Sequence, residues 1–317
     1  MFQYIIRRIL YTFPIALGVT VIVFSLVYLG PGDPLDAVLP DDATAADVQE
    51  IKELYGFDKP LPVQYAIWLG RAVTGDLGTS IGTGQPVTDD LKRAVVNTLI
   101  LAVFASIFGF TIAVVLGTIA GYQHGRLADK AVSALAITGV SVPNYWLAIV
   151  LVIIFSVELN WLPSLGMGPG ESAAWTVDWA HMRHMILPMI GVSVISMGII
   201  ARSMRASVAE ILNQEFVQTL RSKGLMERQV LRHVVKNAAP TVMAVTGLQI
   251  GHLMGGSILI ETIFAWPGTG FLLNEAIFRR DLPVLQGTIL VLAMFFVAVN
   301  LVVDVMQTSV DPRIKRD

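Results

Sequence analysis

Six apolar runs, each about 20 residues or longer, constrain this chain more than any other feature. They lie near 9–29, 95–120, 131–157, 185–206, 238–262 and 284–307. A helix needs about 20 mostly apolar residues to cross the hydrocarbon of a bilayer. Within lipid every backbone amide must be satisfied inside the segment, so such runs fold as helices. The composition agrees: 54% of the 317 residues are hydrophobic and only 15% are charged, against about 25% charged in soluble domains. That excludes a water-soluble surface of this size, as well as disorder, collagen and coiled-coil rods. With no cysteine, disulfides, zinc-thiolate sites, iron–sulfur clusters and thiol catalysis are excluded. A net charge of -2 gives no support for nucleic-acid binding. The expected fold class is all-α, a polytopic membrane protein with six transmembrane helices.

Lys and Arg concentrate on the cytoplasmic side of membrane proteins. With the N-terminus inside, the inner segments are 1–8, 121–130, 202–237 and 308–317. Fourteen of the 22 basic residues fall there with six carboxylates, leaving eight basic and seventeen acidic residues outside and Asp304 within the last span. Lys92, Arg93, Arg279 and Arg280 run against the rule, but the majority places both termini in the cytoplasm. Arg7-Arg8 followed by an apolar run imitates a signal peptide. The run is too long for a signal h-region and no small-x-small site follows it, so a retained anchor over 1–29 is expected.

The segment 30–94 is the one sizeable piece outside the membrane, with eleven carboxylates against five bases. A helix is expected over Asp41–Tyr55, ended by Gly56, and another over Val63–Val73 after Pro60 and Pro62. Gly75, Gly78, Gly82 and Gly84 then make a loop. This external insertion is too short and polar to hold much of a core alone.

The charged stretch at 207–237 is the most informative loop. Helical spacing places Ile211, Phe216, Leu220 and Leu225 along one side, Gly224 fits a helix stop, and a second helix starts near Glu227. It contains no catalytic constellation. It reads either as an amphipathic helix offered to a groove on another protein, or as a solvated basic loop that satisfies topology. Elsewhere, Gly117 and Gly121, and Gly247, Gly251 and Gly255, recur every four residues, which lets helices approach closely. This fits helix packing within the chain, or alternatively subunit packing or a pathway lining. Asn144, Gln249 and His252 are polar at membrane depth, where polar groups face a bundle interior or water. They are candidate pathway residues and equally candidates for inter-helix hydrogen bonds. Pro143 and Pro188 are candidate kinks. Asn300 and Asp304 share a helix face, and Glu261 lies at the end of the fifth span. His181 and His184 are three apart, with Asp178 and Glu171 nearby, a spacing compatible with metal ligation, though solvated histidines explain it better. No catalytic residue and no metal site are assigned.

Glu215-Phe-Val-Gln-Thr-Leu-Arg221-Ser-Lys223-Gly224-Leu225, then His233-Val-Val-Lys236-Asn237-Ala-Ala-Pro240, resembles the EAA loop of ABC-transporter permeases of the dipeptide/oligopeptide (peptide/nickel) branch. It departs at Leu220 and Ser222, where alanines are usual. The resemblance extends along nearly the whole chain: Pro31-Gly32-Asp33-Pro34, Gly56-Phe57-Asp58-Lys59-Pro60, Gly75-Asp76-Leu77-Gly78-Thr79-Ser80, Ser141-Val142-Pro143, Glu261 to Gly270, Arg280-Asp281-Leu282-Pro283, Asn300 to Asp304 and Asp311-Pro312-Arg313. It implies the type I importer permease fold, with a core over 95–306, an EAA coupling loop over 207–237 and a cytoplasmic tail over 308–317. It implies a peptide importer of the bacterial cytoplasmic (inner) membrane, built from two permeases, two cytoplasmic ABC ATPases and an external solute-binding protein. Glu215, Thr219, Arg221, Lys223, Gly224 and Arg228 would contact an ATPase and catalyse nothing. No G-x-x-x-x-G-K-[ST] phosphate loop occurs, and no Gly-Lys pair at all. ATP-Mg is therefore expected on the partner ATPases, with no cofactor in this chain. A proton- or ion-coupled secondary transporter is the main alternative, and it would need repeats and buried ionisable groups that the sequence does not display. A membrane-embedded enzyme or scaffold is a third class, for which no cluster of His and acids is present.

Overall fold

The computed structural model describes the backbone of 2–29, nearly all of 57–310 and a few residues of 39–53. The side chains of 2–9, 26–29, 254, 256 and 303–310 are not described. The expected Asp41–Tyr55 helix, Pro31-Gly32-Asp33-Pro34, Gly56, Glu171, the Asp304 side chain and Asp311-Pro312-Arg313 lie wholly or largely outside the described residues.

Ten α-helices are described: α1 Phe2–Leu29, α2 Leu61–Val73, α3 Val87–Tyr122, α4 Leu127–Ser141, α5 Asn144–Leu151, α6 Trp179–Leu212, α7 Glu215–Ser222, α8 Glu227–Ile263, α9 Thr269–Arg279 and α10 Leu282–Val310. A π-helical turn, Val152–Glu158, continues α5. No strand occurs among the described residues, only an isolated bridge between Thr79 and Pro86. By length and composition α3, α6 and α10 can each cross a membrane, and the bent pairs α4–α5 and α8 raise the total to five. The apolar part of α1 with described side chains, Leu10–Ser25, is shorter.

The third expected span is not one straight helix. α4 and the segment Asn144–Glu158 meet at 103°. Pro143 has no N–H to continue the ladder, and it drives Val142 into extended backbone (φ -84°, ψ 127°). Pro188, in contrast, lies inside a continuous α6, and Pro240 inside α8.

The chain divides into two compact units. The first comprises 1–98 and 267–301. Its core is Val87, Leu91, Ala276 and Val284, with Leu77 and Leu272 against them. The acidic insertion therefore shares its core with residues from the last third of the chain. Buried Asp281 fastens it: the Ser80 hydroxyl donates to Oδ2 at 2.5 Å and the Gly82 N–H at 3.0 Å, while Oδ1 accepts from the Val284 N–H in the first turn of α10. Thr20 and Tyr65 share a hydrogen bond of 2.7 Å, and Phe24 packs on Tyr65 and Trp68, so α2 rests on α1.

The second unit comprises 99–266 and 302–317. One cluster gathers Leu101, Ala148, Met167, Met185, Leu253, Phe264 and Trp266. The other gathers Ala113, Ile200, Met204, Val208, Val217, Val230 and Val234. Between them α3 lies almost backbone to backbone on α6. A Cβ at Gly109, Gly117 or Gly121 would come within 2.7 Å of Ser193 Cβ, 2.6 Å of the Ala201 carbonyl and 2.7 Å of the Arg205 carbonyl. With buried Ala113 these positions form one small-residue stripe, the arrangement that permits close approach. Gly198 repeats the device toward Ala136 of α4, 2.7 Å from its carbonyl oxygen.

Candidate coupling site

The 207–237 loop folds as a short crossing helix. α6 ends at Leu212, and α7 runs over eight residues. Glu215 lies in its first turn and Arg221 in its last, each matching the local sign of the helix dipole. Gly224 ends the turn at φ +78°, a left-handed conformation that costs glycine little. The Gly224 N–H donates to the Arg221 carbonyl at 2.9 Å and the Leu225 N–H to the Leu220 carbonyl at 3.3 Å, closing the helix end. The Gln229 side chain accepts from the Met226 N–H at 3.0 Å and starts α8.

The two faces of α7 differ sharply. Val217 is fully buried, and Phe216, Leu220 and Leu225 pack beside it on Val208, Ile211, Val230 and Val234. Leu220, one of the departures from the usual alanine, thus supplies contact to the cluster. The sequence periodicity identified the right side of the helix but missed Val217 as its centre. Glu215, Thr219, Lys223, Gly224 and Arg228 are all exposed, and Glu215, Lys223 and Arg228 form no ion pair among the described residues. Thr219 donates to the Glu215 carbonyl at 3.1 Å.

Arg221 is held within the chain. Its Nε donates to Glu227 Oε1 at 2.9 Å and its Nη2 to Oε2 at 3.1 Å. Tyr122, the last residue of α3, donates its hydroxyl to the same Oε2 at 2.9 Å. The hydrogen bonds to Glu227 raise the Arg221 pKa above the ordinary guanidinium range. Sequence spacing gave no sign of this hub, because the Gly224 turn separates its members. The surface is suited to docking: a stiff, braced helix with unpaired charges facing outward, and no group placed for chemistry.

The candidate pathway residues do not converge. Asn144 starts α5 just after the break, with Oδ1 accepting from the Tyr145 N–H. Gln249 is buried in α8 at 6% exposure, and its Oε1 has no partner among the described residues. His252 is exposed on another side, in a stripe with Leu248, Gly255 and Leu259. A Cβ on Gly255 would meet nothing within 4 Å; Gly251 is buried and Gly247 half-buried. Glu261 is fully buried. Asp178 caps α6 by accepting the His181 N–H, His181 Nδ1 lies 2.6 Å from Asp178 Oδ2, and His184 Nδ1 lies 2.9 Å from the Leu165 carbonyl.

The family model described as the binding-protein-dependent transport system inner membrane component matches residues 113–316, and its N-terminal companion matches 1–102. The chain belongs to this family. Among similar proteins, a dipeptide transport system permease protein of Alkalihalophilus pseudofirmus is 38% identical over 99% of this chain and all of its own length. An oligopeptide transport system permease protein of Bacillus subtilis is 35% identical over 99% of this chain and all of its own. A glutathione transport system permease protein of Escherichia coli is likewise 35% identical, over 99% of each chain. The fold is that of an inward-facing methionine ABC transporter, matched with TM-score 0.57 and 19% identity over 70% of this chain and 96% of that one. As an inner membrane component of a binding-protein-dependent ABC importer, the chain is a multi-pass permease subunit. Its family works with an ATPase and a solute-binding protein.

Proposed function

We propose that this permease is one of two related, non-identical halves of a peptide importer and that it is driven from its cytoplasmic side. Di- or oligopeptides are the solute class, in keeping with the names of relatives 35–39% identical over nearly the full chain. Two ATPase subunits bind and hydrolyse ATP-Mg, and α7 seats in a groove on one of them. The exposed charges of Glu215, Lys223 and Arg228 and the exposed Thr219 hydroxyl, on and just beyond a helix whose other side is buried, carry this reading. Both termini are cytoplasmic, so α7 faces the ATPases and the 30–94 insertion faces the solute-binding protein. The core runs from about 95 to 306.

Transport proceeds by alternating access. The binding protein delivers solute outside, closure of the ATPase pair displaces α7, and the cavity between the permeases changes sides. The open stripe of α8, with Leu248, His252, Gly255 and Leu259, faces the second permease or the cavity, and Asn144 and Gln249 contribute polar groups to the route. The test is uptake of labelled dipeptide by proteoliposomes holding both permeases, the ATPases and the binding protein. Lys223→Glu, or Gly224→Leu at its left-handed backbone, leaves membrane insertion intact and uncouples ATP hydrolysis from uptake. Full coupling in both variants contradicts the role of α7.

A further inference from the structure

Two carboxylates pin the Tyr122–Lys130 turn, which joins α3 to α4, against the elements around the docking helix. Glu227 binds Arg221 of α7 through both oxygens and accepts the Tyr122 hydroxyl, so α3, α7 and α8 meet at one side chain. Asp129, only 3% exposed, accepts two N–H groups of Arg205 from α6, the second at 2.9 Å. It also accepts the Gly125 N–H of the turn at 2.8 Å and the Ser133 hydroxyl at 3.3 Å, and His124 Nδ1 approaches at 3.2 Å. The backbone of α3 is meanwhile in contact with α6 at Gly121, opposite the Arg205 carbonyl.

A loop that only connects two helices needs no such fastening at both ends. We propose that the α3–α4 turn is a force-bearing part of the coupling site, in which Tyr122 and Asp129 act as positioning residues that carry displacement of α7 into α3 and α4. Without them α7 would reach α3 and α4 only through side-by-side packing on α6, which resists approach but does not resist separation or sliding. With them, four membrane helices receive the same displacement. Bidentate and buried ionic contacts suit this task because their geometry is fixed in direction as well as distance. This inference rests on the reading of α7 as the ATPase contact.

The chain has no cysteine, so introduced thiols are the only ones in it. In the assembled transporter, Tyr122→Cys with Glu227→Cys removes one clasp, and labelled dipeptide transported per ATP hydrolysed is expected to fall about two- to thirtyfold. Bridging the two thiols with a short bifunctional thiosulfonate restores the ratio, because turn and lever then move together again. Asp129→Asn lowers the same ratio. The proposal is overturned if the unbridged double variant couples normally, or if bridging fails to restore uptake or blocks it. Lys223→Glu, on the outer surface of α7, separates the two levels. If it uncouples while the clasp variants do not, only this inference fails. If it couples normally, the docking reading itself fails.

Discussion

Gly117 and Ala201 are packed so closely that a methyl group on the glycine would lie 2.6 Å from the alanine carbonyl oxygen. The contact joins α3 to α6 in the middle of the second unit, next to the cluster that seats α7. Close backbone contact is how helices gain packing energy in lipid, where burial from water offers no drive.

Gly117→Ala is therefore expected to destabilise the protein by about 1–3 kcal/mol, the usual cost of an overpacked methyl. Reversible unfolding in mixed micelles measures it. Gly255→Ala is the control: its Cβ meets nothing within 4 Å, and a change between neutral and a gain of about 1 kcal/mol, never a loss, is expected. Equal effects at both positions would remove the contact's special status.

Asp281→Ala should loosen the external loop without unfolding the second unit. The Ser80 hydroxyl and the Gly82 N–H would lose their shared acceptor; Ser80 is buried, and a buried unsatisfied donor costs about 1–3 kcal/mol. Hydrogen exchange at Gly82 and at Val284 in the first turn of α10 should accelerate well beyond that in α6. Unchanged protection at Gly82 would show that the carboxylate does not hold the loop.

The N-terminus of α6 gives a pH dependence. The Thr176 hydroxyl and then the His181 N–H hold the Asp178 pKa down to about 2, against about 3.9 in an unfolded chain. A depressed folded pKa adds stability that is complete above the unfolded value and lost as pH falls toward the folded one. Protection of the first turn of α6 should hold at pH 5 and decline between about pH 4 and pH 2. Asp178→Asn should flatten that decline, and an unaltered pH profile in the variant would rule out the assignment.

How much of this was readable in the sequence depended on whether the signal was local. α7 and its end were legible because Gly224 and the apolar spacing fall within one helix turn. The bend at Pro143 was marked but not its 103° angle, since the apolar run continues unbroken through it and lipid imposes no composition change. Gly117 and Gly121 were visible as a pair. The extension to Ala113 and Gly109 keeps the same spacing and could have been found. The Asp281 clasp on Ser80 could not, because 201 residues separate the two and no period links them. Glu227 was invisible for a related reason: its partners lie six residues back, across a left-handed turn, and 105 residues back at the end of α3.

The proposed docking surface of α7 is open to a direct test. Thr219→Cys places this chain's single thiol on the exposed face of α7, since the chain has no cysteine of its own. In the assembled, membrane-embedded transporter, cross-linking from this thiol should capture the ATPase subunit in high yield. A thiol at Val177, on the exposed stretch before α6, should not. Capture of the solute-binding protein from position 219, or dipeptide uptake driven by a proton gradient with no ATPase present, would contradict the account.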